Sequence, residues 1–175
     1  QDHSRETFDM ILDAAEKLAV NEFMPVNSKG DEIGCTWEEG KVKIPEPFHG
    51  PFRKFCEGGW LSMCEDEAVG GQSVPAVVDF SCKEMFFAAN YALTGYMGLT
   101  HSAAKVIEVY GTDGQKAKYM GPLYEGRYAG TMNLTEDQAG SDVGSIRTKA
   151  ARNPDGSFSI QGTKIFITGG NQDVT

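Results

Sequence analysis

The residues best suited to chemistry lie between Tyr128 and Gly170. An apolar run from Tyr128 to Leu134 has the composition of a strand and then gives way to Thr135-Glu136-Asp137-Gln138-Ala139-Gly140-Ser141-Asp142. Hydroxyls, carboxylates and a glycine mark a turn at that point. Gly140 lets the backbone approach a ligand closely and Ser141 adds a donor, so the turn could cradle a phosphate or the edge of a heterocycle. The same residues also describe an ordinary solvated turn. A second run, Lys164-Ile165-Phe166-Ile167-Thr168-Gly169-Gly170, follows at the distance that a second paired strand needs.

Together the two blocks resemble the flavin-binding middle domain of the acyl-CoA dehydrogenase family, whose pattern is apolar-x-apolar-T-E-P-x-A-G-S-D followed by an N-G-x-K-x-W/F-I-T-x-G strand. Glu57-Gly58-Gly59-Trp60 and Asp142-Val143-Gly144-Ser145-Ile146-Arg147-Thr148-Lys149-Ala150 add to the likeness. They are similar to the larger branch that includes 3-methylmercaptopropionyl-CoA dehydrogenases. The resemblance extends over most of the chain.

It implies bound FAD and oxidation of an acyl-CoA at its α,β carbons, with fatty acid metabolism as the setting. Met132, Leu134 and Thr135 would meet the isoalloxazine ring, with the Thr135 hydroxyl at its pyrimidine end. Gly140 and Ser141 would sit at the diphosphate, and Ser141 would also lie near the acyl chain, which Leu99 would contact. Phe166 and Ile167 would pack on the flavin, and Thr168 would bond toward N5. An electron-transfer flavoprotein as acceptor and a homo-oligomeric intact protein are implied as well. The family's catalytic Glu belongs to a C-terminal helical domain, so no catalytic residue is assigned here and Glu136 is not its substitute. The pattern departs from the family's at Asp137, where Pro is usual, at Met132, often aromatic, and at Phe166, commonly Trp. An acyl-CoA oxidase-type flavoenzyme and a non-catalytic packing or partner-binding module are the alternatives.

Of the 175 residues, 40% are hydrophobic and 23% charged, which suits a globular fold able to bury a core. A net charge of −9, from 16 basic and 25 acidic residues, argues against a nucleic acid partner. Helix N-termini and turn amides can still hold an anionic cofactor. Cys35, Cys56, Cys64 and Cys82 lack C-x-x-C spacing and read as buried free thiols, which points to the cytoplasm or another reducing compartment, although two disulfides are also possible. His3, His49 and His101 are dispersed, so no metal site is expected. No two glycines stand two positions apart, which excludes a G-x-G-x-x-G motif. Met85 to Ala104 carries no charged residue, yet its polar dilution and central Gly95 and Gly98 suggest a break between two buried helices in place of a membrane span.

The elements that must position these residues are helices first and strands afterwards, an α+β order. An N-terminal all-α helical domain over 1–126 is expected, then the start of an antiparallel β domain over 127–175, with a C-terminal helical domain absent. Phe8, Ile11, Leu12, Ala15, Leu18 and Ala19 predict an amphipathic helix over Gln1 to Phe23, ended by Pro25. Residues 27–47 read as a surface excursion with one short hairpin around Trp37 to Ile44. Ser73 is expected to cap a buried helix carrying Ala76, Val77, Phe80, Met85, Phe86, Phe87 and Ala89. Leu99 to Tyr110 and Gln115 to Leu123 predict two more helices. Asp155-Gly156 reads as a hairpin turn, with Phe158 and Ile160, then Ile165 and Ile167, continuing the sheet. Asn171 to Thr175 end directly after that strand, so the chain is expected to be incomplete.

Overall fold

The Ser4 hydroxyl accepts a hydrogen bond from the Thr7 amide (3.2 Å) and starts α1, Arg5–Leu18, in this computed structural model, which describes residues 3–173. Gln1 and Asp2 of the expected first helix, and Val174 and Thr175, lie outside the described residues. Pro25 does not end the helical course. The chain widens into a π-helical turn over Ala19–Phe23 and continues as α2, Met24–Ile33. Proline lacks an amide and its ring crowds the carbonyl one turn back, and the wider turn accommodates both. The predicted hairpin follows as β1, Thr36–Glu38, and β2, Lys41–Lys43, paired antiparallel with Trp37 opposite Val42.

After α3, His49–Glu57, come α4, Ala76–Ala89, and α5, Tyr91–Tyr110. The break between these last two falls at Asn90 and not at Gly95 or Gly98, which lie inside α5. Asn90 leaves helical geometry (φ −160°, ψ 93°), accepts from the Leu93 amide at 3.0 Å and donates to the Phe23 carbonyl at 3.3 Å. One short side chain thus starts α5 and ties it to the α1–α2 junction. Among the described residues no helix is long and apolar enough to cross a membrane. Ser73 does not cap α4: it has φ +51°, and the residue preceding the helix is Pro75. The last helix, α6, Asp113–Tyr124, begins with a reciprocal capping box between Thr112 and Gln115.

The core joins α1, α3 and α4 around Phe23, Phe55 and Phe86. The Phe86 ring lies 5.3 Å from Phe23, 5.2 Å from Phe55 and 5.2 Å from Trp60, centroid to centroid. The expectation that α4 is buried over most of its circumference is corrected. Val78, Cys82, Phe86 and Ala89 face inward, whereas Val77 and Phe80 are 72% and 69% exposed and Phe87 is exposed over less than half of its surface. α4 is apolar nearly all round, and the described helices cover one side of it. All four cysteines are free thiols, but only Cys82 of the four is buried; Cys56 and Cys64 are half-buried and Cys35 is exposed.

Beyond α6 the sheet is smaller than expected. β3, Lys149–Arg152, and β4, Phe158–Gln161, form the hairpin closed at Asp155-Gly156, with Ala150 opposite Ile160. Residues 128–134 and 164–168 join no ladder, and the second run bends at Phe166 (φ +55°), so those two predicted strands are absent. Strand-like composition does not by itself make a ladder when the backbone groups bond side chains or loops instead. The class is therefore α+β, a helical unit followed by short antiparallel strands. We expect Asn90→Ala to lower unfolding stability by about 1–2 kcal/mol, since it removes a helix cap and a side-chain hydrogen bond to the Phe23 carbonyl; urea denaturation beside the native protein measures this.

Candidate functional site

The turn after Leu134 is shaped by a carboxylate. Glu136 is 4% exposed, and its oxygens accept from Gln138 Nε2 (2.7 Å), the Arg147 amide (2.8 Å), the Thr148 amide (2.9 Å), Thr148 Oγ1 (2.5 Å) and Lys164 Nζ (2.8 Å). Lys164 and Thr148 hold its carboxyl far below the usual carboxylate range. Lys164 also donates to the Leu134 carbonyl (2.9 Å), and the Ile165 amide donates to the Thr135 carbonyl (3.0 Å). These bonds bring the two chemistry-bearing blocks side by side, although neither is a strand.

Further bonds tie the segments after α6 and after Lys164 to each other and to the helical unit. Thr131 Oγ1 donates to the Thr168 carbonyl (2.5 Å), the Val42 amide to Asn171 Oδ1 (3.2 Å) and the Ile44 amide to Asp173 Oδ1 (3.0 Å). The Gly130 amide donates to Thr100 Oγ1 on α5 (3.2 Å). Between these anchors lies an open cavity of about 680 Å³, lined by Tyr96, Asn133, Lys164, Phe166, Ile167 and Gly169 among others. Phe166 has φ +55° and is 87% exposed. A bulky residue in the left-handed region is strained, and such strain collects at ligand sites.

The structure thus places Phe166 and Ile167 on that cavity wall. Met132, Gly140, Ser141 and Thr168 are exposed, and Leu134 and Thr135 are half-buried. Among the described residues, the hydroxyls of Thr135, Ser141 and Thr168 make no hydrogen bond to protein. A Cβ built on Gly140 would meet nothing within 4 Å. Of the predicted contacts only Phe166 and Ile167 line this cavity; Met132, Leu134, Thr135, Gly140, Ser141 and Thr168 do not, so the structure brings a stacking surface to the cavity and leaves the free hydroxyls and the open turn outside its wall.

A second cavity, of about 270 Å³, opens between α4 and α5 and is lined mainly by Phe55, Trp60, Phe80, Phe87, Met97 and Gly98. Phe80 and Phe87, which helical pattern assigns to the core, line this cavity instead, and the density of aromatics on α4 is its signal in the sequence. Most of its polar rim is already engaged. Lys83 pairs with Asp79 at 2.6 Å, Ser102 Oγ donates to the Gly98 carbonyl at 2.9 Å, and His101 Nε2 meets Glu65 Oε1 at 2.9 Å. Leu99 does not line this cavity. A Cβ on Gly130 would come 3.2 Å from the Leu99 carbonyl, which places that carbonyl toward the segment after α6.

Cys64, Glu65 and His101 bring ligand-type atoms within 4.8 Å of one another. Lys105 Nζ already sits 2.5 Å from Glu65 Oε2, and burial pushes the Cys64 thiol up to about 11. The Glu65 carboxylate is thus already engaged by the Lys105 ammonium and by the His101 ring.

The fold recurs in the butyryl-CoA dehydrogenase of Megasphaera elsdenii, with a TM-score of 0.78 at 24% identity, covering 97% of this chain and 43% of that one. An acyl-CoA dehydrogenase from Bacillus anthracis, solved in complex with FAD, gives a TM-score of 0.73 at 25% identity and covers 96% of this chain and 27% of that one. Residues 5–127 match the N-terminal domain of acyl-CoA dehydrogenases and residues 131–173 the middle domain. The chain belongs to the acyl-CoA dehydrogenase family. The 3-methylmercaptopropionyl-CoA dehydrogenase of Ruegeria pomeroyi is 38% identical over 151 residues, which are 86% of this chain and 26% of that relative. The chain thus spans about a quarter of that relative's length.

Burial works to raise the Glu65 carboxyl, but hydrogen bonds from Lys105 and His101 outweigh it and leave the group below the ordinary 4.5. A depressed carboxyl contributes stability above its unfolded value, and that contribution is lost as pH falls through the folded value. Glu65→Gln should therefore cost about 2 kcal/mol near neutral pH and progressively less under acid; denaturation series from about pH 7 to about pH 3.5 compare the two proteins.

Proposed function

We propose that this chain is a portion of an FAD-dependent enzyme that desaturates an acyl-CoA thioester between its α and β carbons, organised as a helical unit over 1–126 and the start of a middle β unit over 127–175. Phe166 carries this reading. A strained, almost fully exposed aromatic on a cavity wall is costly unless a flat ligand covers it, and the FAD bound by the Bacillus anthracis relative is such a ligand. When bound, FAD supplies the acceptor for the hydride that leaves the β-carbon.

Each residue then has a defined task. Phe166, Ile167, Met132 and Leu134 give the ring apolar contact. Thr135 and Thr168 donate to its polar edge, and the turn at Gly140 and Ser141 meets the diphosphate with backbone amides and a hydroxyl. The apolar cavity between α4 and α5 takes the acyl chain, and its aromatic lining excludes water from it. Abstraction of the α-proton needs a carboxylate within reach, and no Asp or Glu lines either cavity. We place the base outside this chain. An electron-transfer flavoprotein as acceptor, a homo-oligomeric intact protein and a reducing compartment complete the proposal; they rest on family membership and on the free thiols.

Thr135→Ala and Thr168→Ala in the full-length protein should each weaken FAD about threefold to tenfold and alter the visible flavin spectrum, because each removes one hydrogen bond to the ring. Fluorescence titration with FAD checks this, and unchanged affinity and spectrum in both variants would remove those hydroxyls from the site. Residues 1–175 reconstituted with FAD should bleach with short- and medium-chain acyl-CoA at least about a hundredfold more slowly than the full-length protein, since a missing general base costs that much. Equal rates in a stopped-flow comparison would put the base within this chain.

A further inference from the structure

Between residues 131 and 173 the described side chains form no hydrophobic core: Glu136 and Ala139 are the buried positions there. Apolar packing therefore cannot hold the flavin surface in shape. A carboxylate at its centre takes that role, and its donors come from separate pieces of chain, Gln138 in the turn, Arg147 and Thr148 before β3, and Lys164 after β4. We propose that Glu136 and Lys164 are positioning residues for the cofactor, an ion pair that sets the distance between the turn at residues 135–141 and the segment at residues 164–168. The inference rests on the flavin reading above and extends it to residues that need not touch the ring.

The route from the pair to the site is short. Thr135 is the chain neighbour of Glu136, and its carbonyl accepts from Ile165, the chain neighbour of Lys164. Lys164 bonds the Leu134 carbonyl with a second N–H, so its ammonium links that carbonyl to the Glu136 carboxylate. The backbone bridge between Glu136 and Ala139 closes the turn on the other side. A shift at Lys164 must move Ile165 against Thr135, and with them the strained Phe166 and the Thr168 hydroxyl. Charge-assisted bonds from ammonium, amide and hydroxyl groups to one buried carboxylate are short and directional, which suits a task defined by distance. Loss of either charge would leave the other partner half-satisfied, and the segments would then be free to separate.

The test uses the full-length protein with FAD as the probe. Glu136→Gln and Lys164→Met should each raise the FAD dissociation constant at least about tenfold, as loss of a hydrogen bond to a charged group does. Both should shift the flavin absorption bands and the reduction potential when measured at saturating FAD, which a purely structural loss would leave alone. Lys164→Arg should stay close to the native values. The double variant should be no worse than the weaker single variant, because the two groups act as one unit. If Glu136→Gln does not fold, Thr148→Val removes one hydroxyl donor and should show the same changes on a smaller scale. Folded Glu136→Gln and Lys164→Met proteins with native FAD affinity, spectrum and potential would overturn the inference while the flavin reading stands. Independent, additive effects of the two substitutions would overturn it too. Native protein that takes up no FAD would instead sink the flavin reading, and this inference with it.

Discussion

Phe86 is the contact on which the helical unit and its cavity both depend. Its ring touches Phe23 at the α1–α2 junction, Phe55 on α3 and Trp60 in the loop beyond. Phe55, Trp60 and Phe86 also form part of the wall of the cavity between α4 and α5. One cluster of rings therefore sets the helix spacing and the shape of the space proposed for the acyl chain. Edge-on packing of this kind fixes centroid separations closely, so the cavity takes its rigidity from the core.

The β side is built on another principle. Short strands, exposed faces and little apolar burial leave polar contacts to define geometry, and a buried carboxylate with converging donors can do so because each unmet partner would be expensive. The two halves meet where Thr100 on α5 holds the Gly130 amide, while side chains from Asn171 and Asp173 hold the amides of β2 and its continuation. Packing positions one cavity and hydrogen bonding positions the other, with α5 contributing to both.

Much of this organisation was legible in the residues. The helix-first order, the hairpins at Trp37 and at Asp155-Gly156, and the two blocks of polar signature follow from local pattern. What escaped depended on distant partners. Residues 128–134 and 164–168 look like strands because apolar and β-branched residues favour any extended chain, and nothing local reveals that a lysine and a carboxylate, not a ladder, will pair them. Gly95 and Gly98 suggest a break, yet α5 continues through both, and the break falls at Asn90, whose side chain caps α5 and reaches the Phe23 carbonyl. The outward aromatics of α4 were assigned to the core since periodicity cannot distinguish a helix covered on all sides from one left bare on half of them. Glu136 is the turn carboxylate its neighbours suggest, but they do not reveal its burial, because the donors Arg147, Thr148 and Lys164 lie beyond the turn.

The widened turn around Pro25 acts on the chain like a gear. Each residue of a regular helix rotates the next side chain by about 100°, so a turn that holds one more residue than usual changes the heading of everything after it. Before it, α1 lays its apolar stripe on α4; after it, α2 turns Gly30 toward the ring of Phe48. Without that phase change, α2 would carry its faces on in the register of α1 and would present another part of its surface to Phe48. A proline that looks like a stop signal thus works as an angular offset, which lets one nearly continuous helical rod serve two packing surfaces that point in different directions.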